Sequence, residues 1–380
     1  MKRNLWVITV LLVLAITVAG CKTQASISST AASNQSVTTT STYPITVPAY
    51  FSGKKTFFEP IYAKVNPSIV FIQVVNPQSG SNSGVKTSGS GFVWDTQGDI
   101  VTDNNLINGA SSITVTFTDG TVVDAHLVGT DADDDMAVIK VNPNGLKLQP
   151  ATLADSTAAK VGNLAMAIGN PFGFENTMSV GSISAIGPAT LTNTKYPIPD
   201  YIQFDTLIYS GSLGGALLDD TGAVLGVTQS TATSSGSSSG VTLAFPSSII
   251  KQVVPALITT GHYDHPALGV SFASLDPNIT NAMNLPSEQL GVLVETVNAG
   301  GPADKAGIKA SSTNFTDDGE QVTIGGDVII AYNGQTVKSV DDLIGFLYNS
   351  GSVGQIVTLT VLRNGKQIQV QVTLGIRPSS

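Results

Sequence analysis

Cysteine, charge and long apolar runs are all scarce in this chain. Cys21 is the only cysteine of 380 residues, so no intramolecular disulfide can form and stability must come from packing. Only 12% of the residues are charged, with 18 Lys and Arg against 27 Asp and Glu and no long basic run. A formal charge of −9 argues against a nucleic-acid partner, since phosphate binding needs a basic face. There are three histidines, and no His, Cys, Asp or Glu cluster has metal-ligand spacing along the chain, so neither a metal nor another cofactor is expected. What the chain has is 42% hydrophobic residues and 38 glycines, the profile of β-rich globular domains with many tight turns.

The one long apolar run, Leu5 to Ala19, follows Lys2 and Arg3 and ends at Gly20-Cys21. It is short for a membrane span and has the flanks of a secretory signal. Val18-Ala19-Gly20-Cys21 resembles the lipobox of bacterial lipoproteins, which implies lipidation of Cys21 and an extracytoplasmic, membrane-anchored location. An uncleaved anchor, or an ordinary signal with an incidental cysteine, is the other reading. Residues 1–21 are thus expected to be a leader. The Ser/Thr-rich stretch 22–55 is expected to be a tether, because it has no apolar period.

From Phe57 the pattern changes. A short helix and a strand at Ser68–Val75 are expected first. In ITVTF, Ile113, Val115 and Phe117 alternate with threonine, and Asp119-Gly120 marks a hairpin turn. MAVIKV and a series of short apolar stretches divided by Gly, Asn and Asp point to β-barrels or a sandwich. PSSIIKQVVPALITTG reads as an amphipathic helix stopped by Gly261, and HYDHP as a linker. The remainder mixes strands with helical patterns. SVDDLIGFLYNS sets Leu343, Ile344 and Leu347 on one helix face, and Asn364-Gly365 joins a strand pair. KASSTNFTDDGEQVTIGGD reads as an exposed loop.

The stretches GSGFVWDTQGDIVTDN, VGTDADDDMAVIKV, AIGNPFGFENTMSVGSISAIG, YIQFDT and GVTLAFPSSIIKQVVPALITTG, in this order, resemble the HtrA/DegP family. The resemblance covers residues 56 to 375. It implies a mainly β protein: a chymotrypsin-like double β-barrel over 56–260 and a small α/β PDZ domain over 266–376. It also implies serine-type endopeptidase chemistry in protein quality control. That chemistry needs a hydroxyl, an imidazole that takes its proton and a carboxylate that orients the imidazole. The family writes these as T-N-N-H-V-V, D-L-A-V and G-N-S-G-G-P. Here Asn105 stands at the histidine position, Asp135 is the retained carboxylate and Leu213 stands at the serine position. An amide cannot accept a proton and leucine is no nucleophile, so loss of proteolysis is expected.

Further expectations follow from the resemblance. The amides of Gly211 and Leu213 match the oxyanion-hole positions. Ala267, Leu268, Gly269 and Val270 match the loop that receives a peptide's terminal carboxylate, and the strand from Val270 would accept a peptide by β-augmentation. Leu343, Ile344 and Leu347 would wall its side-chain pocket; the alternative is that they face the domain core. Expected partners are peptide or unfolded-protein C-termini and an active HtrA paralogue. A homotrimer through Tyr50, Phe51, Phe57 and Phe58 is also implied; aromatics at a domain entrance can equally pack on their own barrel. His126, His262 and His265 read as surface or turn histidines, Asp133 and Asp134 as a solvated turn, and Asp135 as a structural carboxylate paired with Asn105.

Overall fold

MAVIKV lacks polar alternation because both its faces are covered. It forms a strand in which Ala137, Ile139 and Val141 face the inside of one barrel, while Met136 and Val138 join a second core outside it. This computed structural model describes residues 57–78, 81–173, 175–189, 198–206, 208–229, 242–317 and 319–378. The expected leader, the tether, Cys21, Tyr50 and Phe51 lie outside them.

Helix α1 (Phe58–Val65) precedes the first barrel. The barrel's strands are β1 (Ile69–Gln78), β2 (Ser81–Val93), β3 (Asp99–Asp103), β4 (Ser112–Thr116), β5 (Val122–Asp131) and β6 (Met136–Val141), and α2 (Asn104–Ile107) follows β3. They close in the order β1-β2-β3-β6-β5-β4. The second barrel contains β7 (Leu164–Gly169), β8 (Thr177–Ala189), β9 (Ile198–Phe204), β10 (Ala216–Leu218), β11 (Val224–Gln229) and β12 (Thr242–Pro246). Its order, β10-β11-β12-β9-β8-β7, repeats that of the first. Each barrel has its own interior: Val70, Ile72, Ile100 and Val115 in the first, Ala165, Ile202, Phe204 and Leu217 in the second.

A third apolar cluster seals the seam between the barrels. Ile69, Phe92, Val101 and Val138 from the first barrel meet Met166, Tyr201, Val227 and Phe245 from the second. Helix α3 (Ser247–Thr260) closes it with Ile249, Ile250, Val253, Val254 and Leu257 on one buried face. Gly261 ends that helix in the left-handed region at φ +82°, and its N–H returns to the Leu257 carbonyl at 3.1 Å, as the sequence pattern predicts.

The C-terminal part contains β13 (Pro266–Ala267), β14 (Val270–Ser274), α4 (Pro277–Ala282), β15 (Val292–Val297), α5 (Pro302–Lys305), β16 (Thr313–Asp317) and β17 (Glu320–Ile324). After them come β18 (Val328–Tyr332), β19 (Gln335–Thr336), α6 (Val340–Ser350), β20 (Ile356–Arg363), β21 (Lys366–Thr373) and β22 (Gly375–Ile376). The main sheet runs β14-β15-β18-β20-β21, which leaves β14 at an edge. Asn364 (φ +51°) and Gly365 (φ +72°) make the tight turn between β20 and β21. The stretch expected to be an exposed loop is instead the β16–β17 hairpin. Phe315 and Val322 pack with Ile324 on Leu293 and Ile279, an apolar face hidden among threonines and acids.

Candidate functional site

The turn after β3 and the turn before β6 meet at one end of the first barrel. Asp103 caps α2: its carboxylate accepts the Asn105 N–H at 2.7 Å. Asp135 accepts the same N–H at 2.9 Å and the Asn105 side-chain amide at 2.5 Å. The Asp135 carbonyl takes the Asn104 N–H at 3.1 Å and the Gln229 amide at 3.2 Å. Asp135 sits at φ +50°, a left-handed conformation held by these four bonds. The pairing of Asn105 with Asp135 expected from the sequence is therefore present as a two-point clasp.

Both carboxyls are buried, and burial is the largest cause of their shifts. Asp103 is pushed up to about 8, by desolvation first and then by the charge of Asp135. Desolvation raises Asp135 as well, opposed by the bonds from Asn105 and Asp103. Asp135 collects the amide donors, which favour its charged form, while the Asp103 carboxyl is held protonated up to about 8. Asp103 escaped the sequence reading; its signal was an Asp one residue before a short helix.

The loop carrying Leu213 packs against the same strand end. The Leu213 carbonyl accepts the Ser90 N–H at 2.8 Å, and the Gly214 N–H donates to the Thr228 carbonyl at 2.8 Å. Gly214 has φ +78°, and a Cβ built there would lie 2.4 Å from the Ser90 carbonyl oxygen and 3.0 Å from the Asp103 nitrogen. Only glycine lets the two loops come this close. The Gly211 carbonyl accepts the Ser90 hydroxyl at 2.8 Å, which fixes the peptide before Ser212. Leu213 is half-buried; Ser212 is buried and lines a pocket of ≈ 320 Å³ with Ala167, Ile168, Met178, Ile208 and Tyr209.

The three histidines lie elsewhere. His126 is exposed on β5, and His262 is exposed beside the Thr260 carbonyl. His265 is not the surface residue expected: it is 4% exposed, with Nε2 2.7 Å from Asp131 Oδ2. Nor is Asp134 part of a solvated turn. It is fully buried, accepts the Tyr348 hydroxyl at 3.2 Å, and desolvation pushes its carboxyl well above the ordinary range. Both corrections have one cause. Helix α6 packs against the barrel, placing Tyr348 and Ile344 in the inter-barrel core and covering the linker.

Next to this contact α6 forms a groove with β14. The groove, ≈ 430 Å³, includes Ala267, Leu268, Gly269 and Val270 on one wall and Val340, Ile344 and Leu347 on the other. Of the three helix residues named from the sequence, Leu343 is absent from the groove; it is fully buried in the core beneath the sheet. Tyr348 and Arg377, which sequence reasoning missed, also line the groove. No local pattern marks Arg377, which arrives from the last described strand and bonds the Tyr348 hydroxyl at 2.9 Å.

Residues 89–227 match the trypsin-like peptidase domain, and residues 266–374 match the PDZ domain. The chain joins a trypsin-like peptidase domain to a PDZ domain. That pairing, with the following relatives, supports the HtrA family. Protease Do-like 1, chloroplastic, of Arabidopsis thaliana is 39% identical over 295 residues, which cover 77% of this chain and 64% of that protein. The probable periplasmic serine endoprotease DegP-like of Brucella suis is 35% identical over 291 residues, 77% of this chain and 53% of that one. The chain thus spans between about half and two thirds of the length of these curated relatives. Among solved structures, the HtrA-type protease AlgW with tripeptide aligns with a TM-score of 0.71 at 28% identity, covering 86% of this chain and 99% of that one. The same protease with decapeptide aligns with a TM-score of 0.66 over 84% of this chain and 98% of that one. Ala267 to Val270, Val340, Ile344 and Leu347 of the β14–α6 groove fall within the residues that match the PDZ domain.

Proposed function

We propose that this HtrA-type chain binds peptides and unfolded segments without cutting them. The observation that carries this reading is the clasp at Asp135: its carboxylate is occupied by the Asn105 amide, where a peptidase of this kind needs an imidazole. Leu213 stands at the nucleophile position and offers no hydroxyl. Loss of even one triad member costs about four to six orders of magnitude in rate. The Gly211 and Leu213 amides then remain as a peptide-docking backbone rather than as an oxyanion hole.

Peptide capture falls to the PDZ groove. The edge of β14 offers its backbone to an incoming strand, and the Ala267–Val270 turn receives the terminal carboxylate. Val340, Ile344 and Leu347 select an apolar terminal side chain. The periplasmic names of relatives and the leader-like N-terminus support an extracytoplasmic location, with Cys21 as a lipid anchor to the membrane. Phe57, 37% exposed and edge-to-face with Phe58, supports assembly as a trimer or with an active paralogue.

A second reading is an active serine endopeptidase, favoured by Ser212 in the pocket wall beside Leu213. It lacks a base, because no histidine of the chain reaches that pocket. One experiment separates the two: fluorophosphonate labelling and β-casein digestion by the full-length chain, beside fluorescence anisotropy of peptides with apolar C-termini. Peptide binding with neither label nor digestion is expected. Digestion that Ser212→Ala abolishes would overturn the pseudoprotease reading.

A further inference from the structure

Behind the Asp135 turn, the fold gathers Asp131, Asp134 and His265 from positions up to 134 residues apart. Asp131 ends β5, Asp134 lies in the turn before β6, and His265 is the last residue of the linker before β13. They are 6%, 0% and 4% exposed. One ligand atom from each lies within 4.8 Å of the others.

Hydrogen bonding leaves this cluster incomplete. The Asp131 carboxylate accepts the Asp133 N–H at 3.1 Å with one oxygen and faces His265 Nε2 at 2.7 Å with the other. Asp134 Oδ1 takes the Tyr348 hydroxyl at 3.2 Å. Asp134 Oδ2 has no hydrogen-bond partner and points toward His265 Nε2, 3.7 Å away. Arg377 Nη1 reaches Asp133 at 3.4 Å and the Tyr348 hydroxyl at 2.9 Å. A fully buried carboxylate oxygen with no donor is costly, and a cation shared with its two neighbours removes that cost.

We propose that Asp131, Asp134 and His265 form a structural zinc site joining the linker to the barrel. One imidazole and two carboxylates supply three of the four ligands of tetrahedral zinc, and a water supplies the fourth. Zn–N and Zn–O bonds of about 2.0–2.2 Å in a tetrahedron require ligand atoms about 3.4 Å apart. The observed 2.7 and 3.7 Å from the imidazole bracket that value, and the two carboxylate oxygens lie within 4.8 Å of each other. The Tyr348 hydroxyl on Asp134 Oδ1 is the outer partner that orients a ligating carboxylate. The Tyr263 and Tyr348 rings flank His265 at 4.8 and 5.5 Å and limit water access. Because Tyr348 also lines the PDZ groove and Asp134 adjoins Asp135, zinc at this point stiffens the contact between the two domains.

The test is zinc content and zinc-dependent melting of the full-length chain after dialysis against one equivalent of ZnCl2. About one zinc per chain is expected, together with a rise in Tm of a few degrees that EDTA reverses. Asp134→Asn and His265→Gln, the latter keeping a donor toward Asp131, are expected to lose both. His262→Gln, at the exposed His262–Asp264 pair, is expected to keep both. Zinc retained by Asp134→Asn and His265→Gln, or less than about 0.2 equivalents in the unmodified chain, overturns the proposal. X-ray absorption at the zinc edge of the unmodified chain needs no variant to fold. An imidazole and oxygen shell supports the site, and a sulfur neighbour moves the ion to Cys21 and refutes it.

Discussion

Asp103→Asn isolates a single buried proton. The folded chain holds Asp103 at about 8, against an ordinary value of 3.8. Between these values the folded state keeps a proton that the unfolded state has lost. Its contribution to stability is fully present at low pH and is lost as pH rises toward the folded value. The slope approaches about 1.4 kcal/mol per pH unit, and allowing for partial ionisation near the upper limit leaves about 2 kcal/mol between pH 6 and 8. Asparagine keeps the cap, because its carbonyl oxygen can still accept the Asn105 N–H, and its amide can replace the carboxyl proton toward Asp135. Urea unfolding followed by the fluorescence of Trp94, in the first barrel, reads the barrel transition. The variant is predicted to gain about 2 kcal/mol on the unmodified chain from pH 6 to 8. The shifts of Asp99 and Asp134 are common to both proteins and cancel in the difference. Parallel curves would refute the assignment of the shared proton to Asp103.

Two other substitutions test the close approaches in the fold. Gly214→Ala places a Cβ 2.4 Å from the Ser90 carbonyl at φ +78° and is expected to cost at least about 2 kcal/mol in the same assay; a neutral result contradicts the packing of the 211–214 loop on β3. Leu343→Ala and Val340→Lys separate core from groove. The first, in a fully buried position, is expected to cost about 2–5 kcal/mol of stability. The second puts a charge in the groove and is expected to weaken peptide binding tenfold or more while Tm changes little, read by anisotropy and by thermal melting.

The sequence revealed most of the barrels because strands covered on both faces leave runs such as MAVIKV, and turns leave Gly and Asn. It was also sufficient for the α3 stop at Gly261 and the β20–β21 turn, where the signal is local. His265 and Asp134 were misread for the opposite reason. Their burial comes from helix α6, which begins 75 residues after His265 and 206 after Asp134, and nothing beside them in the chain announces it. The β16–β17 hairpin was missed because its apolar residues, Phe315 and Val322, are diluted by threonine and acid. Leu343 and Ile344 are adjacent on the helix and were assigned together, yet 100° of rotation sends Leu343 wholly into the C-terminal core and leaves Ile344 between the groove and the inter-barrel core. At the candidate site, the residue identities at 105, 135 and 213 were legible; the proton held by Asp103 and the double clasp on Asp135 needed the fold.

The central claim is the lack of turnover, and the most direct measurement is cleavage of a fluorogenic peptide pool by the unmodified chain with mass-spectrometric detection of products. The account predicts a rate equal to that of buffer and of the Ser212→Ala variant. Product formed by the unmodified chain and missing from Ser212→Ala would contradict it.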